Sequence, residues 1–474
     1  METGGLWMLA AVGLAMLATG LPAWIVLVGV SLAFTAGGIA AGALDASLFA
    51  AIPGRIVGLL ENDLLQALPL YVLMGVLINR TPLADTLFRA ARAALRSTGR
   101  AVPLAGIALA VLLAPMSGSV GASVAMLSRT LHPRLAAEGM AEERNVALVC
   151  VASTLGVVVP PSLVLILLGD AMMRAHTEAS HTGAFAGRIL NTQDVFHAAL
   201  VPAAVFLLLC IAITAWQSRR TPREERATPP ARVEWITAIA AAALIVGLLA
   251  GVALGYLYAV EAAAAGGLAL AIHALATDAL RGGVLGTVLR ETLALSGSLF
   301  ALLVAATVFT LVQRAFGTDR WLAGVFASTG SAAAALGTGL ATIALCALVL
   351  DAFEMIFVVV PLVAPALLAR VPDAPWVAVL VLLILQASFV IPPFGYAVMM
   401  ARSRIGSAVG TRALARALLP FVAAQLAVLA LVAAFPAMLW RDPAPAATDA
   451  PAKGDEDALR RMLEQRDEEQ APEK

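Results

Sequence analysis

The sequence predicts an all-α polytopic membrane protein with about ten transmembrane helices and two re-entrant hairpins. Of its 474 residues, 61% are hydrophobic and only 13% are charged, about half the charged fraction of an average soluble domain. Apolar runs of roughly 20 residues, the length that spans a bilayer, recur as far as residue 440. The formal net charge is zero and no segment combines basic with aromatic residues, which argues against nucleic-acid binding. The three cysteines are too scattered for a zinc site or a disulfide framework.

The apolar runs give the expected order of membrane segments. Two further runs, at about 102–127 and 334–368, contain small or acidic residues near their middles and are better suited to re-entrant hairpins. The charged composition of residues 441–474 predicts a disordered tail or a short surface helix. The polar insert at 174–194 is interpreted as a surface loop, with docking of a partner as the alternative. The predicted spans are 5–20, 22–43, 64–79, 145–170, 195–216, 233–255, 258–277, 292–315, 375–400 and 417–440.

The positions of the arginines predict the orientation. Lys453 and Lys474 are the only lysines, so arginine carries the charge bias that marks cytoplasmic loops. With the hairpins re-entering the side they leave, 19 arginines before the tail fall on one side and six on the other. The smaller group comprises Arg55, Arg174, Arg188, Arg314, Arg320 and Arg370. This bias places both termini outside, which is the periplasm in a Gram-negative cell.

A duplicated double proline is the most informative feature. Residues 156–162 read GVVVPPS and residues 390–395 read VIPPFG, each inside an otherwise apolar span. Two consecutive prolines remove two backbone donors and break a helix. Exposed carbonyls at membrane depth are tolerated only where protein, water or an ion meets them. The pair therefore indicates two discontinuous helices with a functional role.

A second pair of features precedes the double prolines. Ser117, Gly118 and Ser119 lie in the first predicted hairpin, with Ser117 43 residues before Pro160. Asp351 and Glu354 lie in the second, with Asp351 41 residues before Pro392. Hydroxyls, carbonyls and intramembrane carboxylates are candidate ligands for cations. Inverted repeats with broken helices point to a secondary transporter whose site lies near the midplane.

The repeat divides the chain into five parts. Residues 1–63 form N-terminal scaffold helices, and residues 64–216 form the first inverted repeat with hairpin 1 and its broken helix. Residues 217–291 connect the repeats through further scaffold helices. Residues 292–440 form the second repeat with hairpin 2 and its broken helix, and residues 441–474 form the tail.

Five motifs in this order resemble the large (DctM-like) membrane subunit of tripartite ATP-independent periplasmic (TRAP) transporters. The resemblance covers about residues 68–416, most of the chain. The motifs are LPLYVLMG at 68–75, SGS at 117–119, LGVVVPPS at 155–162, PLVAP at 361–365 and IPPFG at 391–395.

The resemblance implies an elevator-type transporter that takes up a small organic acid, driven by a sodium gradient and without any other cofactor. It implies two protein partners, a small four-helix membrane subunit and a periplasmic substrate-binding protein, and a location in the bacterial inner membrane. For sodium it implies Ser117, Ser119, Gly156, Asp351 and Pro392, mostly through backbone carbonyls. The full set of candidate residues for ion and substrate is Ser117, Gly118, Ser119, Gly156, Pro160, Pro161, Asp351, Glu354, Pro392, Pro393 and Gly395.

Two alternatives remain open at this point. A stand-alone sodium–carboxylate symporter of related architecture needs neither partner. An intramembrane serine hydrolase needs a histidine beside Ser123, and His273 is the histidine nearest to a span. The chain carries no HExxH motif, so no metalloprotease site is predicted, and we expect no enzymatic activity.

Overall fold

A computed structural model describes residues 4–61, 63–113, 120–160, 162–181, 190–218, 230–392, 395–406 and 409–440. These residues form helices joined by short turns, with no β-strand among them. The helices are α1 (Gly4–Thr19), α2 (Ala23–Ala40), α3 (Ala51–Leu60), α4 (Asp63–Arg80), α5 (Leu83–Ala94), α6 (Ala101–Leu113), α7 (Val120–Thr130), α8 (His132–Ala137), α9 (Glu142–Val158), α10 (Leu163–His181), α11 (Thr192–Gln217), α12 (Arg232–Ala253), α13 (Ala259–Ala276), α14 (Val284–Ala315), α15 (Thr318–Ser328), α16 (Ala332–Cys346), α17 (Ala352–Glu354), α18 (Val360–Leu368), α19 (Ala374–Val390), α20 (Tyr396–Ile405) and α21 (Thr411–Ala434).

The predicted polytopic architecture is confirmed. Within the described ranges, six helices are long and apolar enough to cross a membrane, and eight segments qualify when each sharply bent pair is taken as one span. The figure of ten stays a prediction. The prediction of a surface loop at 174–194 is wrong for residues 174–181, because α10 continues to His181. Residues 182–189 and the tail at 441–474 lie outside the described residues.

The peripheral helices expose apolar side chains. Val233 on α12 is 73% exposed and Leu293 on α14 is 72% exposed. Water would penalise such surfaces, whereas the acyl chains of a bilayer do not. These faces are therefore suited to the apolar interior of a membrane.

The centre of the molecule is formed by α9 and α19, which pack against each other. From Asn145 to Val158 on α9, and from Val377 to Val390 on α19, every side chain is buried. A helix that is apolar on all faces is stable only where other elements surround it. The two helices that carry the double prolines are thus the most enclosed in the fold.

The packing around α9 and α19 follows a twofold pattern. In the first half, α6 packs on α9; in the second, α16 packs on α19. The helix that follows each break packs on the opposite half. After the first break α10 packs on α18 of the second half, and after the second break α20 packs on α7 of the first half. The helices α11 and α21 pack on each other and across the centre. This exchange is what two intertwined repeats produce.

Each predicted hairpin consists of two packed helical arms. Hairpin 1 pairs α6 with α7, and its tip at residues 114–119 lies outside the described residues. Hairpin 2 pairs α16 with α18 through turns at 347–350, and its second arm begins at Asp351. A π-helical segment, Met355–Val359, lies between α17 and α18. Such segments in α-helices are frequent at functional sites.

Candidate transport site between two broken helices

The first break separates α9 from α10, whose axes differ by 43°. The hydroxyl of Ser162 joins the two helices across it. This hydroxyl donates to the Val157 carbonyl at the end of α9 (2.9 Å) and accepts from the Leu165 amide at the start of α10 (3.1 Å). Serine is a favoured N-cap residue because its oxygen satisfies a free helix amide. The serine after the double proline therefore caps both halves of the broken helix.

Proline chemistry also determines which carbonyls at this break lose their helical donors. In an α-helix the carbonyl of residue i accepts from the amide of residue i+4. Pro160 and Pro161 have no amide hydrogen, so Gly156 and Val157 lose these donors. Ser162 replaces the donor of Val157. The buried Gly156 carbonyl is left with acceptor capacity that a cation or a polar ligand can use.

The second break repeats this arrangement with a closer backbone contact. Pro392 and Pro393 deprive the carbonyls of Ser388 and Phe389 of their helical donors. The Gly395 amide donates to the Ile391 carbonyl (2.8 Å). A Cβ atom on Gly395 would lie 2.5 Å from the Phe389 carbonyl oxygen. Glycine is therefore required here by the approach of backbone to backbone.

Side chains of α9 and α19 hold the two breaks near each other. The Gln386 side-chain amide on α19 donates to the Thr154 carbonyl on α9 (3.5 Å), so residues close to each break are in contact. The Gln386 Oε1 atom is buried and has no hydrogen-bond partner within the described ranges. Buried polar atoms are rarely left unpaired unless they serve a ligand, a water molecule or an ion. Gln386 adds a further acceptor to the space between the breaks.

Hairpin 2 contributes an acidic pair. The half-buried Asp351 precedes α17, and the carboxylate of the buried Glu354 accepts from the Asp351 amide (2.9 Å). Glu354 thereby caps the second arm of the hairpin. The Asp351 carboxylate accepts a backbone amide at the start of α17 in return, so the two acidic residues form a capping box.

Tyr396, the first residue of α20, lies where the two hairpins and the second break meet. Its ring is 6.4 Å from that of Phe389, and its hydroxyl lies within electrostatic range of Asp351 and Glu354. A Cβ atom on Gly121 would lie 2.9 Å from this hydroxyl oxygen. Gly121 is the second residue of α7, directly after the hairpin 1 tip. Tyr396 thus packs against the start of the second arm of hairpin 1 and against the second break.

The structure brings six of the predicted residues into this region. Gly156 and Pro160 lie at the first break, Pro392 and Gly395 at the second, and Asp351 and Glu354 at the start of an arm of hairpin 2. The remaining predicted residues lie outside the described ones; they are Ser117, Gly118, Ser119, Pro161 and Pro393.

Sequence reasoning missed Ser162 and Gln386 as well as Tyr396. The position of Ser162 directly after the prolines was a usable signal, since N-cap residues favour hydroxyls. Gln386 was also recognisable, as a lone amide in an apolar span. For Tyr396 the sequence offered no comparable signal, because its role depends on contacts with residues far away in the chain.

The arrangement gives no support to a serine hydrolase. Ser123 lies on α7, which packs on α9 and α20, whereas His273 lies on α13, which packs on α4 and α12. The geometry instead provides carbonyl, amide and carboxylate oxygens around two helix breaks. Such oxygens are ligands for hard cations.

The fold and the paired broken helices define a membrane protein of the secondary-transporter class. Two solved structures share the fold at low sequence identity. The Alcanivorax borkumensis YdaH transporter aligns with a TM-score of 0.59 and 17% identity, covering 84% of this chain and 90% of that one. Neisseria gonorrhoeae MtrF aligns with a TM-score of 0.53 and 12% identity, covering 82% and 83%.

The chain belongs to the family of the tripartite ATP-independent periplasmic transporter, DctM component, whose model matches residues 10–438. It is therefore a TRAP transporter large permease component, and the resemblance seen in the sequence is confirmed.

Two curated relatives are named for their substrates. The C4-dicarboxylate TRAP transporter large permease protein DctM of Rhodobacter capsulatus is 27% identical over 43% of this chain and 47% of its own length. The isethionate TRAP transporter permease protein DctMQ of Oleidesulfovibrio alaskensis is 25% identical over 87% of this chain and 62% of its own length. The chain thus spans about half to three fifths of the relatives it matches.

Proposed function

We propose that this chain is the permease of a sodium-driven uptake system for a small organic anion. The observation that carries the proposal is the pair of proline breaks, which leave carbonyls without helical donors on two central, contacting helices. Two relatives are named as transporter permeases for C4-dicarboxylates and for isethionate. Both are small organic anions, so we propose a carboxylate or sulfonate as the substrate.

Sodium is the proposed coupling ion because the available ligands are hard neutral oxygens. The carbonyls of Gly156, Ser388 and Phe389 lack helical amide donors, and Asp351, at the start of the second arm of hairpin 2, is the proposed source of negative charge. Sodium, a hard monovalent ion, suits such oxygens. The hydroxyls of Ser117 and Ser119 at the tip of hairpin 1 complete the proposed ligand set.

The proposed mechanism is an elevator movement. Both hairpins, α9, α10, α19 and α20 pack together around the breaks and form the proposed moving unit. The helices α4, α13 and α14, which also pack together, belong to the proposed static scaffold. The contacts across the centre favour movement as one body, since packed cores shift as units.

The proposed assembly contains a small four-helix membrane subunit and a periplasmic binding protein. The binding protein delivers substrate to the side that carries few arginines. The arginine distribution supports an inner-membrane location with both termini in the periplasm. The relatives' names support the assembly, since both are called permease proteins of TRAP transporters.

Reconstitution into liposomes tests the proposal. The purified permease is incorporated with its small subunit, and labelled succinate or isethionate is added with the binding protein. We expect uptake under an inward sodium gradient and none when potassium replaces sodium. Uptake driven equally well by a proton gradient would contradict sodium coupling. Uptake by this chain alone would instead identify a stand-alone symporter.

A further inference from the structure

A cavity of about 220 Å³ lies away from the helix breaks, between α3, α4, α10, α14 and the π-helical segment of hairpin 2. Three arginines line it, namely Arg55, Arg174 and Arg314, together with Asp170 and Glu178. We name it the arginine cavity. Its volume is below the roughly 300–1,000 Å³ of pockets for drug-sized ligands, so it admits only a small molecule.

Two of its arginines are held by carboxylates on α10. One nitrogen of Arg174 bonds Asp170 (3.0 Å), and one nitrogen of Arg314 bonds Glu178 (2.7 Å). A guanidinium carries five N–H donors, so both retain further donors. Arg55 is exposed and has no carboxylate partner within the described ranges. The lining therefore has one guanidinium more than it has carboxylates.

The remaining lining matches a short carbon chain. Leu303, Ile356 and Phe357 provide apolar surface next to the charged groups. The hydroxyls of Thr307 and Thr310 already donate to helix carbonyls (2.8 and 3.1 Å), so donors for an anion come from the arginines. A guanidinium binds carboxylate or sulfonate oxygens through paired N–H groups.

The location of the cavity suits an early step of the proposed transport. Its three arginines belong to the six that the sequence places on the periplasmic side. Ile356 and Phe357 lie on the hairpin arm that begins at Asp351. The cavity also lies between α14, in the proposed scaffold, and α10, in the proposed moving unit, which the Arg314–Glu178 ion pair joins.

We propose that the arginine cavity is an entry site for the transported anion, in which Arg55 binds the carboxylate or sulfonate group before it reaches the helix breaks. This proposal rests on the proposed uptake function and adds a second site to it. The ion pairs of α10 keep Arg174 and Arg314 in place, while Arg55 supplies the uncompensated charge.

A cysteine reporter tests this proposal on the full chain. Thr310→Cys, or Thr307→Cys as a second reporter, is introduced after the three native cysteines are replaced by alanine. Its modification rates are measured with an anionic sulfonatoethyl and a cationic trimethylammonium methanethiosulfonate. We expect the anionic reagent to react faster. Removing one positive charge several Å away should slow the anionic reagent and speed the cationic one, each roughly threefold. Arg55→Gln therefore lowers the ratio of the anionic to the cationic rate roughly tenfold at low salt.

The matched control is Arg320→Gln, an exposed arginine predicted on the same side but absent from the cavity lining. Arg320→Gln should leave the ratio of the two modification rates unchanged. Arg55→Lys, which keeps the positive charge, should retain most of the parent's ratio. Succinate or isethionate should slow modification of the reporter, and Arg55→Gln should remove this protection. An unchanged ratio in Arg55→Gln, or the absence of protection by both anions, would overturn the proposal.

Uptake by the reconstituted reporter protein separates the two proposals. Sodium-driven uptake without protection would overturn the entry site and leave the proposed function standing. Protection that depends on Arg55, without uptake of either anion, would support the cavity as an anion site and contradict the proposed uptake.

Discussion

The hydroxyl of Tyr396 lies 2.9 Å from the position that a Cβ atom on Gly121 would occupy. Gly121 follows the tip of hairpin 1, and Tyr396 begins the helix after the second proline break. The tyrosine also lies within electrostatic range of the acidic pair of hairpin 2. Hairpin 1 thus packs directly on the helix that follows the second break, so a change at Gly121 is expected to affect that break.

The first prediction concerns this contact. Gly121→Ala should reduce uptake, because its methyl group forces the tyrosine away from hairpin 1. Adding Tyr396→Phe should restore part of the activity, since the crowded hydroxyl is then absent. Gly337→Ala is the control, because a Cβ atom there meets nothing within 4 Å. Uptake of the three variants in proteoliposomes checks the prediction, and full activity of Gly121→Ala would refute it.

The second prediction concerns the backbone contact at Gly395. Gly395→Ala should lower the stability of the protein by about 1–3 kcal/mol, the usual cost of overpacking, and reduce uptake. The added methyl group meets the Phe389 carbonyl oxygen. This is a backbone atom, which cannot rotate aside as the end of a flexible side chain can. Thermal unfolding in detergent and uptake are the measurements. Gly410→Ala, with open space around its Cβ position, should behave as the parent; an equal effect of both variants would contradict this explanation.

The third prediction concerns the bridge across the first break. Ser162→Ala should destabilise the protein by about 1–2 kcal/mol, because one hydroxyl serves both Val157 and Leu165. Ser388→Ala is the matched control, since its buried hydroxyl bonds only the local Leu385 carbonyl (2.7 Å). Chemical unfolding of both variants measures the difference. Equal stability of the two variants would show that Ser162 does not hold the break.

The fourth prediction separates the roles of the acidic pair. Glu354→Gln should keep near-normal uptake, because an amide oxygen still accepts from the Asp351 amide. Glu354→Ala leaves this amide unpaired and should cost about 1–3 kcal/mol. Asp351→Asn should raise the sodium concentration needed for half-maximal uptake, since a charge beside the ion is lost. Uptake as a function of sodium concentration distinguishes Glu354→Gln from Asp351→Asn. An unaltered sodium dependence in Asp351→Asn would exclude that residue as a ligand.

Sequence alone predicted the features that depend on local chemistry. The breaks followed from the missing amides of the double prolines, and the hairpins from small and acidic residues inside apolar runs. The contacts of Gln386 and Tyr396 were not predictable, because each joins residues that are far apart in sequence. The π-helical segment and the helical start of the 174–194 insert were missed for a related reason. The π-helical segment packs on α14, and α10 packs on α18, and these contacts join residues that are far apart in sequence.

In the proposed mechanism, the prolines create the ion site by freeing carbonyls at the two breaks. Binding of labelled sodium to the purified protein, compared between the parent and Pro160→Ala or Pro392→Ala, tests it most directly. Each substitution restores an amide that can donate to the carbonyl of Gly156 or Ser388. The control is Pro202→Ala, which removes a buried proline inside α11, a helix that continues through it from Thr192 to Gln217. The account predicts that the two break variants lose sodium binding while the control retains it. Unchanged sodium binding in both break variants would contradict it.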